Sequence, residues 1–369
     1  VPSTASSALF GTDIMDHWFP VTQGGDIAFL YGVMKILFAE GWLNHDFLRD
    51  HVNGVPSLRA ACEALDWDTL ERRAGLDRAS MREFAELIRD AKNAVFVWSM
   101  GITQHPFGAD GVQTILNLGL LRGYVGRDKN GLMPIRGHSS VQGGGEMGCY
   151  ATVFPGLKPI NPANAAALSA DYGFPVPDWT GLTTTEMVEA CARDELDLFY
   201  NVGGNLLRNL PEPDHIRAAL ARVPLRVHQD IILNDQMLVP AREAVILLPA
   251  KTRYEQDDGG HETSTERRVM FTPEIPRQVP FYDGVQHLRK TGDAFQYGGP
   301  HLCADGKFAT ADGRALLTPV PLPAHERPAD QFKASTRRGK QFNSLIYAEV
   351  DPLNAAPRDA VLMSAAAAT

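Results

Sequence analysis

Residues 134–148 read PIRGHSSVQGGGEMG, placing Arg136, His138, two serines and Gln142 beside three consecutive glycines that begin at Gly143. A guanidinium is a permanent planar cation that can hold a small carboxylate or oxyanion through paired hydrogen bonds. An imidazole two residues on can exchange a proton near neutral pH. Glycines let a ligand approach the backbone N–H groups closely. The same mixture of glycine and hydrogen-bonding side chains recurs in Gly24-Gly25-Asp26, Met100-Gly101-Ile102-Thr103-Gln104, Gly203-Gly204-Asn205 and His228-Gln229-Asp230. Asp and Asn in such turns can read a purine edge, and a carboxylate matches the N1–H and 2-amino donors of guanine. Later, STRRGKQFNS (335–344) gathers three cations with amide and hydroxyl groups, a set suited to a diphosphate. The plainer readings are turn-making glycines after strands and a solvated basic face. For Arg136 it is an ion pair with a buried carboxylate.

The elements around these stretches read as α/β. AVFVWSM (94–100) is a short apolar run, expected to be a buried strand, followed by a loop GITQHPFGAD and a helix GVQTILNLGLLRGYVG. DLFYNVGGN, PDHIRAALARV, PLRVHQDI and REAVILLPA repeat the pattern as strand, helix, strand and buried strand. Ligands of parallel sheets sit beyond the carboxyl ends of the strands, where SMGITQ, VGGN and QD fall. Nearer the start, DIAFLYGVMKILFAE opens as a helix after Gly25, and WDTLERRAGLDRASMREFAELIRDAKN reads as two helices, the second capped by Ser80 with Glu83.

The chain has 369 residues, 44 % of them hydrophobic, with a formal net charge of −9 and no block of like charges. That balance supports globular domains and argues against a nucleic-acid surface. The four cysteines Cys62, Cys149, Cys191 and Cys303 lie far apart without a CxxC, so neither a disulfide framework, a zinc site nor an iron–sulfur cluster is expected within the chain, and Cys149 is expected to be a buried thiol. The most apolar early stretch is too short to span a bilayer. No GxGxxG opens a helix after a strand, and no GxxxxGK[ST] or GxSxG is present, which leaves a nicotinamide site, a P-loop and a serine-hydrolase elbow unsupported. The first residues VPSTASS and the last, VLMSAAAAT, are expected to be internal edges of a longer polypeptide.

Taken together, VFVWSMGITQHPFGADGVQTILNLGLLRGYVG, PIRGHSSVQGGGEMG, YNVGGNLL, RYEQDDGGHETSTERR, KTGDAFQYGGP and STRRGKQFNS resemble, in order, the large subunit of molybdopterin oxidoreductases, in particular the formate dehydrogenase-like alpha subunits. The resemblance implies two Rossmann-like parallel-sheet domains with covering helices, an irregular connector and the start of a β-rich cap domain, expected over residues 1–138, 139–275, 276–331 and 332–369. It implies a molybdenum bis(molybdopterin guanine dinucleotide) cofactor, with tungsten as the alternative metal.

Carried over residue by residue, the resemblance gives Gly24, Gly25 and Asp26 to a nucleotide turn. Met100, Gly101 and Gln104 become pterin-dinucleotide contacts, and Asn205, Gln229 and Asp230 the second domain's nucleotide contacts. Gln256 stands near a further pterin contact. Thr336, Arg337, Arg338, Gly339, Lys340, Gln341, Asn343 and Ser344 become the loop that grips a pterin and its diphosphate. Arg136 takes the place that faces metal and substrate carboxylate, with His138, Gln142 and Gly143 around the same pocket. The family's 4Fe–4S cysteines and its metal-ligating Cys-His pair have no counterpart here. The resemblance therefore places them, and any protein ligand to the metal, in polypeptide ahead of Val1, so that this piece alone is expected to be inactive. The implied activity is oxidation of a small substrate such as formate, in the cytoplasm, with an electron-transfer partner the sequence does not name and neither nucleic acid nor membrane as a partner. The alternative is a truncated or degenerate homologue that binds a nucleotide-like ligand or a partner without catalysis.

Overall fold

The computed structural model describes residues 15–135, 137, 141–251, 262–263, 268–270, 287, 293–296, 302–323, 342–343, 346–347, 350, 357 and 360. The chain divides into two compact units, Val1–Gly144 with His261–His325 and Gly145–Gly260 with Glu326–Thr369. Together the described elements make an α/β fold of parallel sheets, short antiparallel sheets and packed helices. Among the described residues no helix is long and apolar enough to cross a membrane.

The first unit is built around helix α1 (Asp26–Glu40), whose sequence is apolar on nearly all sides and whose residues are buried accordingly. Helix α2 (His45–His51) follows, then strand β1 (Val52–Asn53) and helices α3 (Val55–Ala64), α4 (Trp67–Ala74) and α5 (Arg78–Asp90). Helices α3, α4 and α5 pack against α1. Helix α3 has no counterpart in the sequence reading, which passes over VPSLRAACEA. The caps are local and polar: Asn44 accepts from Phe47 N–H at 3.1 Å and Asp66 from Thr69 N–H at 2.7 Å. The α5 cap is not Ser80, as the capping-box pattern predicts, but Asp77. Its carboxylate accepts from both the N–H and the hydroxyl of Ser80, which starts the helix earlier. Strand β1 pairs in parallel with Ala315–Leu316, and Arg314 donates to the carbonyls of Arg49 at 2.7 Å and Asp50 at 2.6 Å at the end of α2. Residues 302–323, irregular by composition, are fastened to this unit.

Strand β2 (Val95–Trp98) leads through α6 (Met100–Thr103) and α7 (Gly108–Leu121) to β3 (Gly131–Pro134), its parallel neighbour. The stretch after β2, read as a loop, therefore contains one short helix and the start of another. Strand β2 is also not buried throughout. Trp98 is buried and Phe96 packs on the core, but Val95 and Val97 are 50 % and 52 % exposed, because successive side chains point to opposite faces.

The second unit carries helices α8 (Pro162–Tyr172) and α9 (Thr184–Ala192), the latter started by a capping box of Thr183 and Glu186. Strand β4 (Leu198–Val202), helices α10 (Leu206–Asn209) and α11 (Pro213–Arg222), and strands β5 (Leu225–Asp230) and β6 (Ala244–Pro249) follow. The sheet order is β4-β5-β6, all parallel. Phe199, Val188, Cys191, Ile216 and Leu220 form a core on one face. The other face carries Leu198, Tyr200, Val202, Ile246 and Leu248, all exposed, so β6 is not the buried strand its composition suggests. Cys149 is likewise exposed rather than buried, and none of the four cysteines is in a disulfide.

Candidate cofactor site

In the first unit the chain end of the β2–β3 pair brings two of the predicted stretches together. Trp98 stands opposite Pro134. Ile135 N–H then donates to Trp98 O at 2.7 Å, and the Ser99 hydroxyl donates to Ile135 O at 2.6 Å. Met100 opens α6 and is half-buried; Gln104 closes it through an N–H bond to Met100 O at 2.9 Å and is exposed. A side chain at Gly101 would meet nothing within 4 Å, so the backbone there is open to approach. Arg136 and His138 lie outside the described residues, but Ile135, the residue before Arg136, is held by these two bonds. Gln142 and Gly143 belong to a short helix, Val141–Glu146, and Gly143 is buried. The glycine run read as bare backbone is therefore helical. Within it, a Cβ on Gly145 would meet the Tyr150 ring at 2.5 Å.

Gly24-Gly25-Asp26 is not a strand-end turn, since no strand occurs in the described residues ahead of it. It is the entry to α1, pressed against the end of α4. A Cβ on Gly25 would lie 2.4 Å from Arg73 O and 2.9 Å from Ala74 Cα. That contact gives Gly25 a packing reason independent of any ligand. Asp26 occupies the first turn of α1, where a carboxylate suits the helix dipole.

The second unit holds the most developed cluster, at the carboxyl ends of β4 and β5. Gly203 and Gly204 have φ of +67° and +78°, left-handed values that favour glycine, and they turn the chain into α10. Asn205 Nδ2 then donates to Asp235 Oδ1 at 2.5 Å, and Arg208 Nε to Asp235 Oδ2 at 2.9 Å. Gln236 bridges back, accepting from Leu206 N–H at 2.8 Å and donating to Gly204 O at 3.2 Å. Asn234 donates to Asp230 Oδ2 at 3.2 Å. Beneath them the fully buried Arg226 donates to the carbonyls of Gln236 and Val239. The bond from Asn205, with Arg208 beside it, holds the Asp235 carboxyl below its usual range. Gln229 and Asp230, predicted as a pair, point to opposite faces: Gln229 accepts from Tyr200 Oη at 2.8 Å on the uncovered face, and Asp230 meets Asn234 on the other.

Several buried atoms in this cluster have no partner: Asn205 Oδ1, Asn234 Oδ1, Arg226 Nε and both ring nitrogens of His228. Burial, and then the charge of Arg226, push the His228 pKa down, with Asp230 opposing. Asn234, Asp235 and Gln236 are not singled out in the sequence reading. Three adjacent hydrogen-bonding residues after the apolar run IIL were the available signal. Gln256, Thr336, Arg337, Arg338, Gly339, Lys340, Gln341 and Ser344 lie outside the described residues, and of Asn343 only its place in the strand Phe342–Asn343 is described.

Residues 7–277, well over half of the chain, match the family model for molybdopterin oxidoreductase. The chain belongs to the molybdopterin oxidoreductases. It is 31 % identical over 365 residues to the "Probable oxidoreductase YjgC" of Bacillus subtilis (strain 168), covering 86 % of this chain and 36 % of that protein. It is 30 % identical over 256 residues to the protein YdeP of Shigella flexneri, covering 67 % and 33 %. To the F420-dependent formate dehydrogenase subunit alpha of Methanocaldococcus jannaschii it is 28 % identical over 358 residues, covering 83 % and 51 %. This molybdopterin oxidoreductase chain thus spans about a third to a half of the length of these relatives. The strand-end cluster holds polar groups of the kind that would accept from the nucleotide end of a molybdopterin dinucleotide. Two buried amide oxygens lack donors, and guanine offers two adjacent ones. For the metal end, no group of three or more His, Cys, Asp or Glu side chains is placed to hold a metal among the described residues.

Proposed function

We propose that this chain is the cofactor-holding middle of a molybdenum-dependent oxidoreductase of formate dehydrogenase type, binding bis(molybdopterin guanine dinucleotide) and acting on a small anion such as formate. The observation that carries the reading is the pair of buried, donor-less oxygens, Asn205 Oδ1 and Asn234 Oδ1, at the end of a parallel sheet in a chain of this family. In it Asn205, Asn234 and Asp230 accept from the guanine N1–H and 2-amino groups. Met100, Gly101 and Gln104 line the approach of a pterin arm at the other sheet, and the loop from Thr336 to Ser344 takes a diphosphate. Arg136 holds the substrate carboxylate in its planar fork, which fixes the substrate's orientation and offsets its charge. His138 shares that pocket and exchanges a proton through a ring nitrogen. When bound, the cofactor supplies a metal centre that takes up two electrons.

The test is the molybdenum, tungsten and guanine-nucleotide content of the protein purified from its source. About one metal and about two guanine nucleotides per chain are expected. Purified protein with neither would favour a homologue that has lost the chemistry, and the roles of Arg136 and His138 would be withdrawn.

A further inference from the structure

Each unit holds a parallel sheet that is covered on one face and bare on the other. In the first unit α7 lies against the Phe96 and Leu132 face of β2 and β3, where a Cβ on Gly119 would come within 3.0 Å of Leu132 and 3.7 Å of Phe96. The opposite face carries Val95, Val97, Met133 and Ile135, all exposed. In the second unit Phe199, Ile216 and Leu220 make a core on one face, and Leu198, Tyr200, Val202, Ile246 and Leu248 are exposed on the other. A parallel sheet occurs almost only with both faces covered, and neighbouring exposed apolar side chains mark an interaction surface.

The topology says what such a face takes. Parallel strands are joined by crossovers that are usually helical and almost always right-handed. The connection from β2 through α7 to β3 runs one way across its sheet, and those from β4 through α11 to β5 and from β5 to β6 run one way across theirs, so the helices fall on a single face of each. A helix reaches the bare face only on a crossover that runs the other way, and neither sheet has one among the described residues. A second copy would bring only another bare face or helices already packed on their own core. The matched stretch makes up 33 % to 51 % of the relatives named above, so each of them carries further polypeptide. We propose that the two bare faces are docking surfaces for amphipathic helices of the same protein that lie outside these 369 residues. One such helix lays an apolar stripe along Val97 and Met133, and another along Tyr200 and Ile246. These contacts are independent of any cofactor and need from the proposed function only that the chain is part of a longer protein.

The experiment compares the 369-residue chain with the native-length protein, each as wild type, Val97→Asp and Leu198→Asp, by fluorescence of the apolar dye ANS and by thermal unfolding. The expected result for the 369-residue chain is strong dye fluorescence that each substitution weakens, with melting temperatures within about 3 °C of wild type. The native-length protein is expected to bind little dye and to lose about 10 °C or more with either substitution, because the carboxylate then enters a closed apolar layer. Little dye binding by a monomeric 369-residue chain overturns the proposal, since the chain's own residues would then close the faces. A dimer of that chain that either substitution dissolves overturns it in favour of a second copy. Native-length protein that tolerates both substitutions, or whose intact mass equals that of the 369-residue chain, overturns it as well. Should the 369-residue chain fail to fold, the native-length variants decide alone.

Discussion

The Ser99 hydroxyl donates to the carbonyl oxygen of Ile135 at 2.6 Å, tying the turn after β2 to the peptide that enters Arg136. The turn that leads into α6 and the residue before Arg136 are thereby coupled through one side chain. Ser99→Ala is expected to lower stability by about 1 kcal/mol, the worth of one such bond, and to loosen the setting of Arg136. Thermal unfolding reads the first effect. Under the proposed function, a raised KM for the small-anion substrate in cofactor-loaded enzyme reads the second, and an unchanged KM would mean Ile135 is held well enough by Trp98 alone.

Arg136→Lys tests the fork itself. Lysine keeps the charge but loses the paired planar donors. Metal content is expected to stay at the wild-type level while turnover falls about a hundredfold. Equal turnover per bound metal would take Arg136 out of the active site.

Gly25→Ala separates packing from binding at the start of α1. The added methyl would lie 2.4 Å from Arg73 O, so α1 must move off α4, at a cost of about 1–3 kcal/mol. The melting temperature is expected to drop, with guanine nucleotide per folded molecule unchanged. Asp26→Ala is the counterpart, expected to lower cofactor occupancy. Full occupancy in that variant would leave this turn a purely structural one.

His228 gives the second unit a pH signature. Its folded pKa lies below the ordinary value near 6.5, chiefly through burial. The unfolded chain therefore takes up this proton at a higher pH than the folded one. Between the two values the unfolded state holds more protons, and stability falls as pH drops. Arg226 faces the ring and adds to the effect, whereas Asp230 opposes it. Melting temperature is expected to decline between about pH 7 and about pH 5, and less steeply in His228→Phe. Parallel declines in the two proteins would assign the loss to other groups.

Arg314 is the fastening of residues 302–323 to the first unit. Besides the carbonyls of Arg49 and Asp50, its guanidinium donates to Asn53 Oδ1 at 2.9 Å and Val52 O at 3.0 Å. Arg314→Ala is expected to destabilise the first unit by about 3 kcal/mol, since several carbonyls at the end of α2 lose a charged donor together. Denaturant unfolding followed through Trp42 and Trp67 would register it. A midpoint equal to wild type would show that the β1 pairing suffices.

Much of this architecture was legible in short stretches. The helix beginning at Asp26 follows from an apolar run behind two glycines, and the break between α4 and α5 follows from AGLD. The strands at Val95–Trp98, Leu198–Val202, Leu225–Asp230 and Ala244–Pro249 sit where apolar runs end in turn residues. These features depend on groups a few residues apart, so local chemistry is enough to set them. The α5 cap was a near miss of the same kind, a choice between two polar residues three apart that the Asp77 carboxylate wins by accepting twice.

Other features depend on residues distant in the chain, which meet only once the chain has folded. Composition alone does not say that Val95 and Val97 face outward while Trp98 is covered, because which face of a strand is buried depends on where its helices pack. Nor does it say that Gly25 is needed by Arg73 and Ala74, almost fifty residues on. The candidate nucleotide site has the same origin. Asn205 and Asp235 meet across 30 residues because the parallel pairing of β4 with β5 sets the segments that follow them side by side, and in that cluster the amide oxygens of Asn205 and Asn234 are buried without a donor.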